Sequence, residues 1–422
     1  MIQTISLSEG VVLRHCPDCR FKKGAISIQF LRPMCIEEAS LNALLPAVLL
    51  RGSRTCPDLR EITWRLDDCY GATVSTMVRR VGDIQTVGLY SSFMEDRFAL
   101  PGDRVLAPMA DFLRELILEP KLENGCFDRE FVESEKRNLI STIESELNDK
   151  RSYAAAQMIR RMCAGDSFAV PRLGREADVA AITPETLWDH YRRILRESPV
   201  EIFYVGSAPA EEVAPLLMPL ARSLAEKPDR LPPATAFVPQ AAPGEFFGEM
   251  DVNQGKLSMG FTTSVTNRSA DFAAMQVFNT VYGAGMTSKL FVNVREKLSL
   301  CYYASSGYYG SKGIVTVSCG IDEANYDRAK EEILRQLEAC VQGEITPAEL
   351  NAAKQALISS LRSTPDSPGA LESYYSTAAI SGLDLSLDDY MRAVENVEIA
   401  DVVRAASTVR LHTSFFLKGV TV

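Results

Sequence analysis

Histidine is nearly absent from this chain. Only His15, His190 and His412 occur among the 422 residues, and no two of them stand three or four positions apart. That spacing sets two imidazoles on one helix face, so a metal hydrolase centre built from histidines is excluded. The same scarcity argues against Ser-His-Asp and Cys-His arrangements, because His190 falls in an amphipathic helical pattern and His412 in an expected edge strand. Long apolar runs are missing too. The most apolar stretch, Leu41 to Leu50, is far short of the ~20 residues of a membrane span. Met1 to Gly10 shows no basic region followed by an apolar segment, so a cytoplasmic location without a membrane partner is expected. Basic residues do not dominate: 45 Lys and Arg face 55 Asp and Glu, for a formal net charge of −10. Such a field repels a polyphosphate backbone, and no nucleic-acid partner is expected. The ten cysteines lack the paired spacing of a disulfide-stapled secreted domain. Cys16 and Cys19, with His15 beside them, have the spacing of half a metal clip, but no second Cys or His pair completes it. They read as a solvated turn between two strands.

What is present is a globular composition, with 46% hydrophobic and 24% charged residues. The length suits two domains, each able to bury its own core. Internal similarity supports that division. Gly24 to Phe30 resembles Gly255 to Phe261 at an offset of 231, and the same offset carries Gly52 onto Gly283. Lys136 to Ile143 resembles Lys354 to Leu361 at 218, and Phe203 to Gly206 resembles Phe416 to Gly419 at 213. The matches are collinear and read as an internal duplication. Pro228, Pro232, Pro233, Pro239 and Pro243 mark an extended linker between the copies. The expected organisation is therefore residues 1–225 as an N-terminal domain, 226–248 as linker and 249–422 as a C-terminal domain. Alternating segments such as Ser27 to Phe30, Thr86 to Ser91 and Ile314 to Cys319 read as strands. Ser40 to Leu50, Asp103 to Leu118, Asp128 to Leu147, Ala270 to Tyr282 and Tyr326 to Val341 carry helical periodicity. The fold class is α+β, each domain a largely antiparallel sheet with helices packed on it.

Gly283-Ala284-Gly285-Met286-Thr287-Ser288-Lys289-Leu290-Phe291 is the most distinctive motif. It lacks the Gly-Lys-Ser/Thr ending of a Walker loop and the third glycine of a dinucleotide loop. It reads as a tight turn on Gly283 and Gly285, an N-cap at Thr287, and a helix with Leu290, Phe291, Val294 and Leu298 on one side. Arg295 follows near the end of that helix and Tyr302 at the start of the next strand.

Together with Val294-Arg295-Glu296-Lys297 and Leu298-Ser299-Leu300-Cys301-Tyr302, this motif resembles the C-terminal domain of the pitrilysin, or insulinase, family of zinc metallopeptidases. The resemblance implies that Arg295 and Tyr302 hold the backbone carbonyl of a bound peptide. The first half resembles the family's N-terminal domain, where an inverted His-x-x-Glu-His zinc motif precedes a turn matched here by Leu50-Arg51-Gly52-Ser53. Counting back from that turn sets Ala43 and Ala47 on the two histidine positions and Pro46 on the general-base carboxylate. The third ligand falls on Thr142, seven residues after Glu135. A peptide-cleaving zinc site needs three protein ligands and a base, and none of these four residues supplies one. Pro46, inside the helical pattern, is expected to bend or interrupt it.

The resemblance thus implies a homologue that is not an enzyme by itself and carries no cofactor. Its partners would be a peptide and a zinc-bearing homologous subunit, with a homodimer possible for the isolated chain. Three functions are compatible: an assisting subunit that lends Arg295 and Tyr302 to the partner's zinc, an inert scaffold or peptide-binding chamber, and an enzyme of unrelated chemistry. No paired nucleophile and base supports the third.

Overall fold

A computed structural model describes residues 2–146, 148–224, 231 and 235–419. Its backbone divides into two compact units. The first comprises Met1–Glu144, Val170–Pro233 and Pro365–Thr377; the second comprises Ser145–Ala169, Ala234–Thr364 and Ala378–Val422.

In chain order the first half contributes β1 (Gln3–Ser8), β2 (Val11–Pro17), β3 (Lys23–Pro33), α1 (Ile36–Leu49), α2 (Leu59–Asp68), β4 (Thr73–Val81) and β5 (Ile84–Met94). There follow α3 (Leu106–Leu118), the short β6 (Leu122–Glu123) and β7 (Cys126–Phe127), α4 (Arg129–Glu146) and α5 (Lys150–Met162). Then come α6 (Glu176–Ala180), α7 (Pro184–Glu197), β8 (Val200–Gly206) and α8 (Ala210–Ser223). The second half contributes β9 (Gly244–Met250), β10 (Gly255–Thr262), α9 (Phe272–Asn279), two π-helical segments (Thr280–Ala284 and Leu290–Lys297), β11 (Cys301–Tyr309) and β12 (Ile314–Ile321). It continues with α10 (Tyr326–Val341), α11 (Pro347–Ser363), α12 (Pro368–Ser381), α13 (Leu387–Glu395), α14 (Ile399–Ala406) and β13 (Arg410–Gly419).

The first unit's sheet has the order β1-β2-β8-β3-β5-β4 and the second unit's has β11-β12-β10-β13-β9. Each is antiparallel except for one parallel pair, β2 with β8 and β13 with β9. Five strands correspond, with β3, β5, β4, β8 and β2 answering to β10, β12, β11, β13 and β9, while β1 has no counterpart among the described residues of the second sheet. Strand pairing also refines the alignment. Ser27 faces Phe203 and Ser258 faces Phe415, so the C-terminal strands match at an offset of 212 rather than 213. β9 occupies residues expected to be linker, and Pro228, Pro232 and Pro233 lie outside the described residues. The Gly-Glu-Phe-Phe-Gly-Glu-Met run forms a strand because β13 offers it a backbone edge.

β3 is buried from Gly24 to Arg32 because both of its faces are covered. Ile26, Ile28 and Phe30 join the apolar core shared with Leu44 and Val48 of α1, Phe112 and Leu116 of α3, and Tyr191 of α7. The other face presents Ser27 and Gln29, which meet Glu372 of α12. The Glu372 carboxylate accepts from Ser27 Oγ at 2.9 Å, Gln29 Nε2 at 2.7 Å and Arg79 Nη1 at 3.0 Å. Buried charge survives only with such full hydrogen bonding.

In the second unit the corresponding face takes α5. Ala154, Met158 and Met162 pack with Phe415 and Leu417. A Cβ on Gly260 would stand 2.4 Å from Met158 Sδ, so this glycine admits the helix to the sheet. The units therefore depart from contiguous halves. Residues 145–169 build the second unit and 365–377 the first, because amphipathic periodicity marks a face to be covered without stating by which sheet.

Helix α1 runs unbroken through Pro46, contrary to the expected interruption. Pro46 sits in the last turn, and the helix ends with Leu50 N–H donating to its carbonyl at 3.2 Å. No helix among the described residues is long and apolar enough to cross a membrane.

Candidate functional site

The positions matched to zinc ligands lie in the first unit. Ala43 and Pro46 are buried on α1 and Ala47 is half-buried. Pro46 lines a small apolar cavity with Phe30, Leu89 and Tyr191. Thr142 is exposed on α4, where its Oγ1 donates to Asn138 O at 2.9 Å. Two methyl groups, a pyrrolidine ring and one exposed hydroxyl are not a donor set for zinc. Among the described residues no three His, Cys, Asp or Glu side chains are grouped to hold a metal ion.

One residue near this helix escaped the sequence reading. Arg51, one turn beyond Ala47, places Nη1 3.0 Å from Glu135 Oε1, and Asn138 Nδ2 donates to the other carboxylate oxygen at 3.0 Å. The guanidinium lies over the Phe131 ring at 5.3 Å. The Glu135 carboxylate is thus paired with a cation of the same unit. The only sequence signal was an Arg in the turn that ends α1.

Arg295 and Tyr302 lie in the second unit on either side of one tight turn. Arg295 stands on the π-helical segment Leu290–Lys297, and Tyr302 is the second residue of β11. Between them Ser299 N–H donates to Arg295 O at 3.1 Å and Leu300 N–H to Val294 O at 3.0 Å. Ser299 adopts φ 49°, the left-handed region that non-glycine residues seldom occupy, and so reverses the chain in a few residues. A bulge in the β11–β12 pairing falls at Tyr302. Bulges re-aim side chains and are frequent beside functional sites. The Tyr302 side chain is 65% exposed and makes no hydrogen bond among the described residues. Arg295 lies 4.7 Å over Phe291 and 3.6 Å from Glu296. A guanidinium and a phenol without a hydrogen bond among the described residues are each able to donate one.

The glycine motif differs from expectation. Gly283 is a buried helical residue, and a Cβ there would meet Ser306 N and Oγ at 2.7 Å, so it allows β11 to approach. Gly285 is extended, with nothing nearer than 3.9 Å to an added Cβ. The cap is Ser288 rather than Thr287, since Ser288 Oγ accepts from Phe291 N–H at 3.3 Å. Leu290 and Val294 are buried, whereas Leu298 is exposed.

The three histidines are structural. His15 stacks on Tyr204 with Nε2 2.8 Å from Ala208 O. His412 lies on β13, an interior strand rather than an edge. His190 is buried and bridges Arg193 and Asn42. Cys16 is half-buried and Cys19 exposed, and the two form no disulfide with each other.

Comparison with known proteins bears on the family and the fold. A family described as the Peptidase M16 inactive domain matches residues 181–357. The probable inactive metalloprotease YmfF of Bacillus subtilis (strain 168) is 30% identical over 400 residues, covering 95% of this chain and 94% of that protein. The crystal structure of a conserved protein from Enterococcus faecalis V583 superposes with a TM-score of 0.92 at 28% identity, covering 100% of this chain and 99% of that one. A peptidase M16 inactive domain from Pseudomonas fluorescens shares the fold, with a TM-score of 0.79 at 16% identity over 100% of this chain and 98% of that one.

Proposed function

Because this chain belongs to the M16, or pitrilysin-type, metallopeptidase family and is an inactive homologue within it, we propose that it is the assisting subunit of a heterodimeric zinc peptidase. A homologous partner supplies the zinc, its ligands and the general base. This chain supplies Arg295 and Tyr302, which donate to the substrate carbonyl as negative charge develops on its oxygen. The single observation that carries the reading is the retention of both donors, reachable from solvent, in a chain whose metal positions are Ala43, Ala47 and Thr142. A scaffold that only holds peptide has no use for groups that bind a carbonyl more tightly as it gains charge.

The test is co-expression with a zinc-bearing homologue, purification of the complex from the cytoplasmic fraction, and peptidase assays of Arg295→Ala and Tyr302→Phe. Each lost donor should lower turnover by about 10²-fold while the heterodimer persists. Unchanged rates in an intact complex would instead support the inert peptide-binding scaffold.

A further inference from the structure

On the face of the second unit's sheet that carries α5, three elements bring two cations around one phenol. The Arg151 guanidinium, from the first turn of α5, lies 4.4 Å over the Tyr303 ring. The Lys256 ammonium, from β10, lies 5.8 Å from the same ring centroid. Arg151 Nη2 donates to Ser305 Oγ at 2.7 Å, and Lys256 Nζ donates to Gln254 Oε1 at 2.7 Å. Among the described residues neither cation forms an ion pair with a carboxylate. The Tyr303 hydroxyl is buried and has no hydrogen-bond partner among the described residues.

Arg151 sits where the helix dipole is already positive, so its charge is opposed by α5 itself. Burial holds the Lys256 ammonium below its ordinary range, with Asp149 only partly offsetting it. Among the described residues Asp149 is the carboxylate whose charge acts on both Lys256 and Tyr303. Its Oδ1 is committed to the N–H groups of Arg151 and Ser152, and its Oδ2 to Ser152 Oγ. Two cations that form no ion pair among the described residues and a buried hydroxyl donor without a partner there together favour an anion with two oxygens.

Position decides which anion. Tyr303 follows Tyr302 directly, and β11 is the outer strand of its sheet. An extended chain alongside that strand presents alternate side chains to each face. We propose that Arg151, Lys256 and Tyr303 form a subsite for the carboxylate of an acidic side chain in an extended peptide. The inference rests on the peptide-handling function above and adds the substrate class, since the chain would select acidic rather than basic segments.

Three pools of fluorescein-labelled ten-residue peptides provide the test. They share randomised flanks and carry two central Glu, Gln or Lys residues, and anisotropy titrations use the full-length chain at low and moderate salt. The Glu pool should bind about tenfold more tightly than the Gln pool at low salt, and the gap should narrow as salt rises. Arg151→Gln with Lys256→Gln should abolish the difference while the Gln pool binds as before. Tyr303→Phe, which keeps the ring, should reduce it. Equal binding of all pools would overturn the subsite and leave the peptide-handling function standing. A Glu preference that survives the double variant would overturn its assignment to these residues. Absence of binding by every pool would overturn both, and inorganic phosphate competing as well as the Glu peptides would show a simple anion site instead of a peptide subsite.

Discussion

His190 gives the sharpest test of the packing in the first unit. Its imidazole is 3% exposed, with Nδ1 2.9 Å from Arg193 Nη2 and Nε2 2.7 Å from Asn42 Oδ1. A guanidinium can only donate, so Nδ1 must accept and Nε2 must carry the proton. Protonating Nδ1 would aim an N–H at a cation inside the protein. Burial, outweighing the attraction of Glu38, lowers the pKa from 6.5 to about 4. The folded state therefore binds this proton less readily than the unfolded chain. Stability from the neutral ring is complete above the unfolded value and falls as pH drops from 6.5 toward 4. Between about pH 7.5 and about pH 5 this one group should remove about 2 kcal/mol. His190→Gln can keep both hydrogen bonds through its amide without titrating. The two tryptophans, Trp64 and Trp188, both belong to the first unit, so urea unfolding followed by their fluorescence reads that unit. The wild-type midpoint should fall faster with acidification than that of the variant, by an amount equal to the lost ~2 kcal/mol. Parallel pH curves for the two proteins would refute the reasoning.

Three further outcomes are expected. Glu372→Ala should destabilise the chain by about 3 kcal/mol in chemical denaturation, because it leaves Arg79, Ser27 and Gln29 facing a buried gap; a loss below about 1 kcal/mol would mean that water replaces the carboxylate. Gly283→Ala should cost more than about 1 kcal/mol, since the added methyl meets the backbone nitrogen of Ser306, which cannot swing away as a side chain can; an unchanged melting temperature would contradict the close approach. After incubation with zinc and exhaustive dialysis, elemental analysis should find no stoichiometric metal, and one tightly held ion per chain would refute the vacancy at Ala43, Ala47 and Thr142.

That the positions the family resemblance matches to zinc ligands are Ala43 and Ala47 was legible in the sequence, and a methyl group cannot ligate zinc whatever surrounds it. Helix α10 was equally legible, spanning Tyr326–Val341 as its periodicity predicts, because amphipathic spacing over several turns is a local property. Pro46 misled because a proline removes only the bond its own nitrogen would make, while the bond that Leu50 N–H makes to the Pro46 carbonyl remains and the helix continues through it. Thr287 misled because Ser288, its neighbour, is equally able to cap, and only the backbone geometry of the turn chooses between them.

The sequence by itself determined the two-copy strand pattern, the family likeness and the residue types at the positions matched to zinc ligands, since each depends on residue type and order. Tertiary structure alone decided that α5 covers the second unit's sheet and α12 the first, that residues expected to be linker become β9, and that Arg51 pairs with Glu135. It also decided that Arg151, Lys256 and Tyr303 meet. These are pairings between residues far apart in the chain, fixed by which surfaces remain to be buried once the sheets have formed. Spacing along a sequence carries no record of that choice.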